Sequence, residues 1–225
     1  MRPRPFRPTL VTSSALFAAV VGAAAGLALA AEGALISKWS FEEAATAVNA
    51  VPGGPSGKVQ GALAAEGRSG RALAFEDWSV KNYLKPDPKK ATKVVVPHQA
   101  ALNPTLPVRI SAWIYPTADP IYYGGIVEKG RGFGASYRLL LLRGLKVSAA
   151  VGDGHVGVKS QAPLSLNAWH EVVLVADKES LVLTVDGKEA GRASWTAPPK
   201  LANTDPVVIG DRFTGRIDEV SIGAP

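Results

Sequence analysis

From about Ala34 to Gly223 apolar side chains recur mostly at every second position, and no long stretch places them at i, i+3, i+4 and i+7. A period of two marks half-buried strands, because successive side chains leave a strand on opposite faces. The segments that carry it are short, rich in Val, Ile, Leu and Tyr, and broken by Gly, Pro, Asn and Asp. They read "ALISKWSF", "RALAF", "TKVVVP", "VRISAWIYP", "GGIVEK", "SYRLLLLR", "LKVSAAVG", "HVGVKS", "WHEVVLVA", "LVLTVDG", "KEAGR", "PVVIG" and "GRIDEVSI". In "WHEVVLVA", Trp169, Glu171, Val173 and Val175 fall on one face, and His170, Val172, Leu174 and Ala176 on the other. Both faces turn apolar toward its end, as in an inner strand covered on both sides. Many short strands between turn signals predict a sandwich or a barrel.

The turns fix how the strands follow one another. Asp186-Gly187 lies between two strand-like runs, and this pair tolerates the positive φ that a tight type I′ hairpin demands. Gly144, the Gly152–Gly154 stretch and Asp177–Glu179 mark further reversals. If each strand simply reverses, the loops at 130–135, 152–154 and 177–179 share one end of the domain. Those at 116–124, 143–144, 162–167 and 186–187 share the other. The segment from Glu76 to Lys93 departs from this rhythm. It carries Lys81, Lys85, Lys89, Lys90 and Lys93 around Pro86 and Pro88, which reads as a surface loop with a basic face.

The first thirty residues have another character. Arg2, Arg4 and Arg7 precede an Ala-rich apolar run from Leu10 to Ala30 that ends in "ALA". A basic start, an apolar middle and an Ala-x-Ala end predict a secretory signal helix over 1–30, followed by one domain over 31–225. The expected location is therefore secreted or periplasmic, with membrane contact only through an uncleaved signal segment. The alternative is a retained anchor, for which so much Ala and Gly is weakly hydrophobic. Cysteine is absent, so no disulfide can form. A domain of this length buries about 70% of its unfolded surface and needs no staple. The net charge of +6 includes the three N-terminal arginines, leaving +3 on the remainder. That is too weak a field for a nucleic-acid binder.

The ordered motifs resemble the laminin-G-like, concanavalin A-like jelly-roll domains of secreted bacterial proteins. The matching pieces are "LISKWSFEE", "GRSGRALAFED", "VVVP", "ALNP", "VRISAWIYPT", "IVEKG", "YRLLLLRG", "LNAWHEVVLVAD", "LVLTVDGKEAG", "VVIGD" and "GRIDEVSIG". The resemblance implies an all-β fold, a two-sheet antiparallel jelly-roll sandwich whose last strand pairs beside the first. It also implies binding of glycans or proteins at a loop rim or sheet face, although some members are glycosidases. Because the chain stops at Pro225, no attached catalytic domain is expected.

Chemistry in the sequence is sparse. Jelly-roll glycosidases set carboxylates at i, i+2 and i+4 on one strand face, at separations suited to glycoside hydrolysis. Here no two acids are four apart, and the only pair two apart, Asp177 and Glu179, sits in a turn. There is no Gly-x-Ser-x-Gly elbow. His98, His155 and His170 lack a neighbouring histidine at metal-ligand spacing. No cofactor is required. The resemblance does suggest a structural Ca2+ where the first and last strands meet, with Glu42, Glu43 and Asp218 as the available carboxylates. Trp39, Trp113 and Trp169 lie inside strand patterns and are expected in the core. Loop aromatics with polar neighbours are the better ligand candidates, because rings stack on sugar faces while charged groups take the hydroxyls. The candidate ligand set is Arg131 and Phe133 from "KGRGFGAS", Asp153, His155, Tyr122 and Tyr123. The expectation is an exported, monomeric, non-catalytic module that binds a glycan or an extracellular or envelope protein. A structural or protein-interaction module is one alternative. A glycosidase or lyase with carboxylates meeting across strands is the other.

Overall fold

A computed structural model of the chain describes residues 34–43, 46–76, 92–152 and 156–225. The expected signal segment and most of the lysine-rich stretch lie outside the described residues. The described residues form two eight-stranded antiparallel sheets.

In the first sheet the order is β14 (Lys188–Ser194), β13 (Ser180–Val185), β12 (His170–Ala176), β7 (Val108–Pro116), β16 (Gly215–Gly223), β5 (Arg71–Phe75) and β4 (Leu63–Glu66). The first strand, β1 (Leu35–Trp39), also pairs with β16. The second sheet runs β11 (Val156–Lys159), β10 (Lys146–Val151), β9 (Tyr137–Leu142), β8 (Tyr123–Lys129), β15 (Val207–Ile209), β6 (Lys93–Val96), β3 (Gly57–Gln60) and β2 (Thr46–Ala47). Thus the last strand does lie beside the first, and the sandwich is a jelly roll. The short strands β2, β3 and β4 do not stand out in the sequence. "GKVQ" and "LAAE" hold no run of β-branched residues and are set by pairing with β6 and β5.

The core forms between the sheets from alternate residues. Val108, Ile110, Ala112 and Ile114 of β7 and Val172, Leu174 and Ala176 of β12 face Val147, Ala149 and Val151 of β10 and Leu139 and Leu141 of β9. Trp39 is fully buried among them, and its indole N–H donates to the Pro55 carbonyl at 3.1 Å. Asp186 and Gly187 take φ values of 50° and 74°, as the type I′ hairpin requires.

Among the described residues both loop ends assemble as the simple-reversal rule predicts. At one end a single segment, 195–205, ties the loops together. Trp195 donates to the carbonyls of Glu179 and Lys178 at 3.0 and 2.8 Å, Ser136 Oγ donates to Leu201 O, and Asn203 Nδ2 donates to Gly134 O at 2.9 Å. At the opposite end Asp119 accepts from Gly144 N at 2.8 Å, Asn167 N donates to Pro116 O at 2.8 Å, and Asp186 N donates to Glu171 O at 2.9 Å.

Strand β16 changes partner midway. Residues 215–217 pair with β5, residues 220–223 pair with β1, and the bulge between them puts Glu219 at φ 49°. Asp218 fills the gap left by the switch. Its Oδ2 accepts from Arg68 N and Ser69 N at 2.8 and 3.2 Å, and its Oδ1 accepts from Glu219 N at 2.8 Å. Burial pushes this carboxyl above the ordinary range, and the three N–H donors pull it back only in part. Asp218→Ala leaves three backbone donors without their acceptor and should cost about 2 kcal/mol. Urea unfolding checks this: an unchanged midpoint would show that the loop at 67–70 does not depend on the carboxylate.

Candidate functional site

Alternation also decides what the sandwich shows to solvent. On β7, Arg109, Ser111, Trp113 and Tyr115 point away from the core, opposite in parity to Val108, Ile110, Ala112 and Ile114. On β12, Glu171 is the neighbour of Trp113 across the ladder, and Ser221 of β16 is the neighbour of Ser111 on the other side. Trp113 and Trp169 are therefore not core residues, which corrects the expectation from sequence. Both are half-buried on the outer face of the first sheet. The signal was present in "VRISAWIYP": Trp113 shares its parity with Arg109 and Ser111.

These residues form a groove of about 90 Å3, with Trp113, Arg109, Glu171, Lys38, Glu219 and Ser111 in its lining. Two ion pairs frame it, Lys38 to Glu219 at 2.7 Å and Arg109 to Glu171 at 3.4 Å. Arg109 also donates to Ser111 Oγ at 2.8 Å, and Ser111 and Ser221 hydroxyls lie 2.7 Å apart. The β16 bulge puts both Asp218 and Glu219 on this side of the sheet, so a backbone irregularity supplies one of the groove's carboxylates. Around it the aromatic rings are dressed by guanidinium groups. Arg68 lies 4.7 Å from the Trp113 ring centre, Arg216 lies 5.1 Å from that of Tyr115, and Tyr115 and Trp169 pack at 5.5 Å. Tyr115 and Trp169 continue the aromatic surface beside the groove.

The tyrosines and Arg131 of the ligand set expected from sequence do not converge. Tyr122 and Tyr123 stand at the start of β8, and Arg131 lies beyond its end, about 20 Å apart for a seven-residue strand. Tyr122 is exposed, whereas Tyr123 lies between Arg138 and Arg212, at 5.6 and 5.2 Å, and its hydroxyl accepts from Arg212 at 3.1 Å. Arg131 donates to Asp211, and Phe133 belongs to the short 3-10 turn Gly132–Gly134. Asp153 and His155 lie outside the described residues. Of the three suggested calcium ligands, Glu42 and Asp218 meet the same loop. Glu42 accepts from Arg71 N at 3.4 Å, and Asp218 is already occupied by N–H donors. Among the described residues no group of three or more His, Asp or Glu side chains converges as cation ligands would.

The outer face of the second sheet carries a different constellation. A groove of about 530 Å3 is lined by Lys93, Val95, Glu128, Arg131, Asp205 and Val208. At its floor Glu128 is 2% exposed, and Arg138 holds its Oε2 through Nε and Nη2, each at 3.0 Å. Its Oε1 is buried without a partner, in the space that Gly125 leaves by having no Cβ. Burial drives the Glu128 carboxyl upward, Arg138 and Arg131 pull it down, and the charge of Asp211 adds a smaller push upward. Sequence separation hid this cluster, since Arg131 and Asp211 are 80 residues apart.

Comparison with known proteins agrees with this architecture. The structure resembles domain 4 of a GH43 extracellular arabinanase from Geobacillus stearothermophilus in complex with arabinotriose, at 12% identity and a TM-score of 0.61, over 85% of this chain and 93% of that one. It also resembles the binding domain of Paraclostridial mosquitocidal protein 1, at 13% identity and a TM-score of 0.66, over 84% of this chain and 48% of that one. A third likeness is to the binding domain of botulinum neurotoxin DC in complex with SialylT, at 10% identity and a TM-score of 0.63, over 85% and 48%. The chain thus spans about half the length of the two toxin binding domains. No curated protein sequence matches it. Residues 88–223 match the model of a laminin G family described as the concanavalin A-like lectin/glucanases superfamily, and the chain belongs to that superfamily.

Proposed function

We propose that this chain is an exported binding module that recognises a carbohydrate, or a carbohydrate-like envelope or extracellular ligand, by holding it rather than cleaving it. The carrying observation is the groove on the first sheet, where Trp113 lies among Arg109, Glu171, Lys38 and Glu219. An aromatic face beside paired donors and acceptors meets both surfaces of a sugar, the C–H face by stacking and the hydroxyl edge by hydrogen bonds. The three solved structures named above include an arabinotriose complex and two toxin binding domains, which favours the same reading. The export signal read over 1–30 would bring the domain to such ligands.

Hydrolysis of glycans is the weaker reading for a geometric reason. The acid with the strongest burial effect in either groove, Glu128, has one oxygen shut off from solvent and the other held by Arg138. A general acid must come within hydrogen-bond reach of the bond it protonates. Asp211 is likewise committed to Arg131.

A glycan array followed by calorimetry on the best ligand tests the proposal. Trp113→Ala should weaken binding at least about tenfold, as loss of a central aromatic anchor does. Tyr122→Ala, at an exposed ring remote from the groove, should leave it unchanged. Absence of binding across a broad array, or affinity indifferent to Trp113→Ala, would remove the carbohydrate reading.

A further inference from the structure

We propose that Ser165 is an activated nucleophile, aligned by His170 and Asp186 at the rim of the sandwich, and that it takes the acyl group of small apolar esters entering the groove beside it. The three residues come from a loop, a strand and a hairpin turn, so no local motif announces them. Ser165 lies in an exposed loop segment fixed on both sides, by Leu164 N donating to Leu145 O and Asn167 N donating to Pro116 O, each at 2.8 Å. His170 opens β12 and is 9% exposed. Its Nδ1 lies 2.8 Å from Asp186 Oδ2, and its Nε2 lies 3.0 Å from Ser165 Oγ.

These contacts set the direction of proton transfer. An ionised carboxylate only accepts, so Nδ1 donates to Asp186, and a ring with a single proton then has its Nε2 lone pair free to take the proton of the serine hydroxyl. Asp186 is fixed in this pose. Its Oδ1 accepts from Glu171 N at 2.9 Å, and its own N–H donates to Glu171 O at 2.9 Å. When Ser165 gives up its proton, the imidazolium that forms is held at both ends, by Asp186 and by the Ser165 carbonyl oxygen 3.1 Å from Nε2.

The adjoining groove has a volume of about 450 Å3. His170 and Asp186 stand in its wall, beside Pro163, Leu164, Val185 and Ala190. Ser160, Gln161, Lys188 and Glu189 also line it, so a short acyl chain would lie along the apolar strip that Pro163, Leu164, Val185 and Ala190 make. Ser165 Oγ would attack the ester carbonyl carbon while its proton passes to Nε2. The bond to the leaving oxygen then breaks, and that oxygen takes the proton from Nε2 as an alcohol. The resulting acyl-serine is released by water along the same route, which returns the proton to Ser165. The two grooves have no lining residue in common and meet only at Glu171, whose backbone holds Asp186 and whose side chain lines the Trp113 groove, so a variant at Ser165 or His170 tests this site apart from ligand recognition there.

Covalent labelling is the first readout, because it reports the reactivity of the serine hydroxyl itself, apart from turnover. The intact protein is treated with a fluorophosphonate probe, its peptides are mapped by mass spectrometry, and hydrolysis of p-nitrophenyl acetate is followed in parallel. Label on Ser165 is expected, absent in Ser165→Ala and slowed about 100-fold in His170→Gln, the usual worth of a positioned base. Asp186→Asn is the decisive variant. Asn tolerates the left-handed φ of 50° at this turn, so the melting temperature should hold. Its amide N–H would face Nδ1 and favour the other tautomer, so labelling should fall at least about tenfold. An unlabelled Ser165 overturns the proposal, as does equal labelling in Asp186→Asn with the fold intact.

Discussion

Replacing Lys129 with methionine is expected to lower the melting temperature by about 10 °C, for a loss of about 3 kcal/mol in a domain of this size. Lys129 is fully buried at the end of β8. Its Nζ donates to Asn203 Oδ1 and Asp205 O at 2.7 Å each and to Asn203 O at 3.2 Å, and it lies 3.2 Å from His98 Nδ1. One ammonium therefore gathers the carbonyls of a loop that crosses the whole end of the sandwich. Asn203 completes the knot by donating back to Lys129 O at 3.2 Å. Methionine keeps the length and packing of the lysine stem but leaves those oxygens buried without a donor, which is the costly half of a lost hydrogen bond. Thermal unfolding of the wild type and Lys129→Met decides it. A shift under one degree would mean that the 203–205 turn holds without the ammonium.

Arg138→Met should be nearly as damaging, by about 3 kcal/mol at neutral pH, because it strands the Glu128 carboxylate without its counter-charge. The double variant Glu128→Gln with Arg138→Met should recover most of the loss, since it removes the buried charge as well. The effect carries a pH signature. Burial places the folded-state pKa of Glu128 above the ordinary glutamate value of 4.5. The folded chain therefore takes up this proton more readily than the unfolded chain. Stability owed to the group falls as pH rises from about 4.5 through the folded value, and returns on acidification. Loss of Arg138, which pulls that pKa down, extends the window upward. The deficit of Arg138→Met relative to wild type should thus be greatest near pH 7 and shrink toward pH 4.5. A deficit that does not change with pH would show that packing of the arginine stem, and not the stranded charge, accounts for it.

The sequence alone carried the architecture further than the chemistry. Parity along "VRISAWIYP" and "WHEVVLVA" places Ile110, Ile114, Val172 and Leu174 inward and Arg109, Ser111 and Glu171 outward, as observed. It also places Trp113 outward, on the face of Arg109 and Ser111; lying inside a strand pattern is not reason enough to expect the core. Asp186-Gly187 announced its hairpin because few residue pairs accept two successive positive φ values. The short strands β3 and β4 escaped notice because short segments without β-branched runs become strands only when a neighbour pairs with them.

What tertiary structure decided is which distant side chains meet. Periodicity in "YGGIVEK" already sets Lys129 on the inward face with Val127, an apparent fault in the pattern. Only the fold brings Asn203 and Asp205 from more than seventy residues away to make that position a clasp. Asp218 reaches Arg68 across 150 residues, Arg131 reaches Asp211 across 80, and the Trp113 groove draws on β1, β7, β12 and β16. A period of two tells which face a side chain takes, because the strand backbone alone enforces it. The partner on that face depends on strand order and register, and these are set by how the two sheets close over one core.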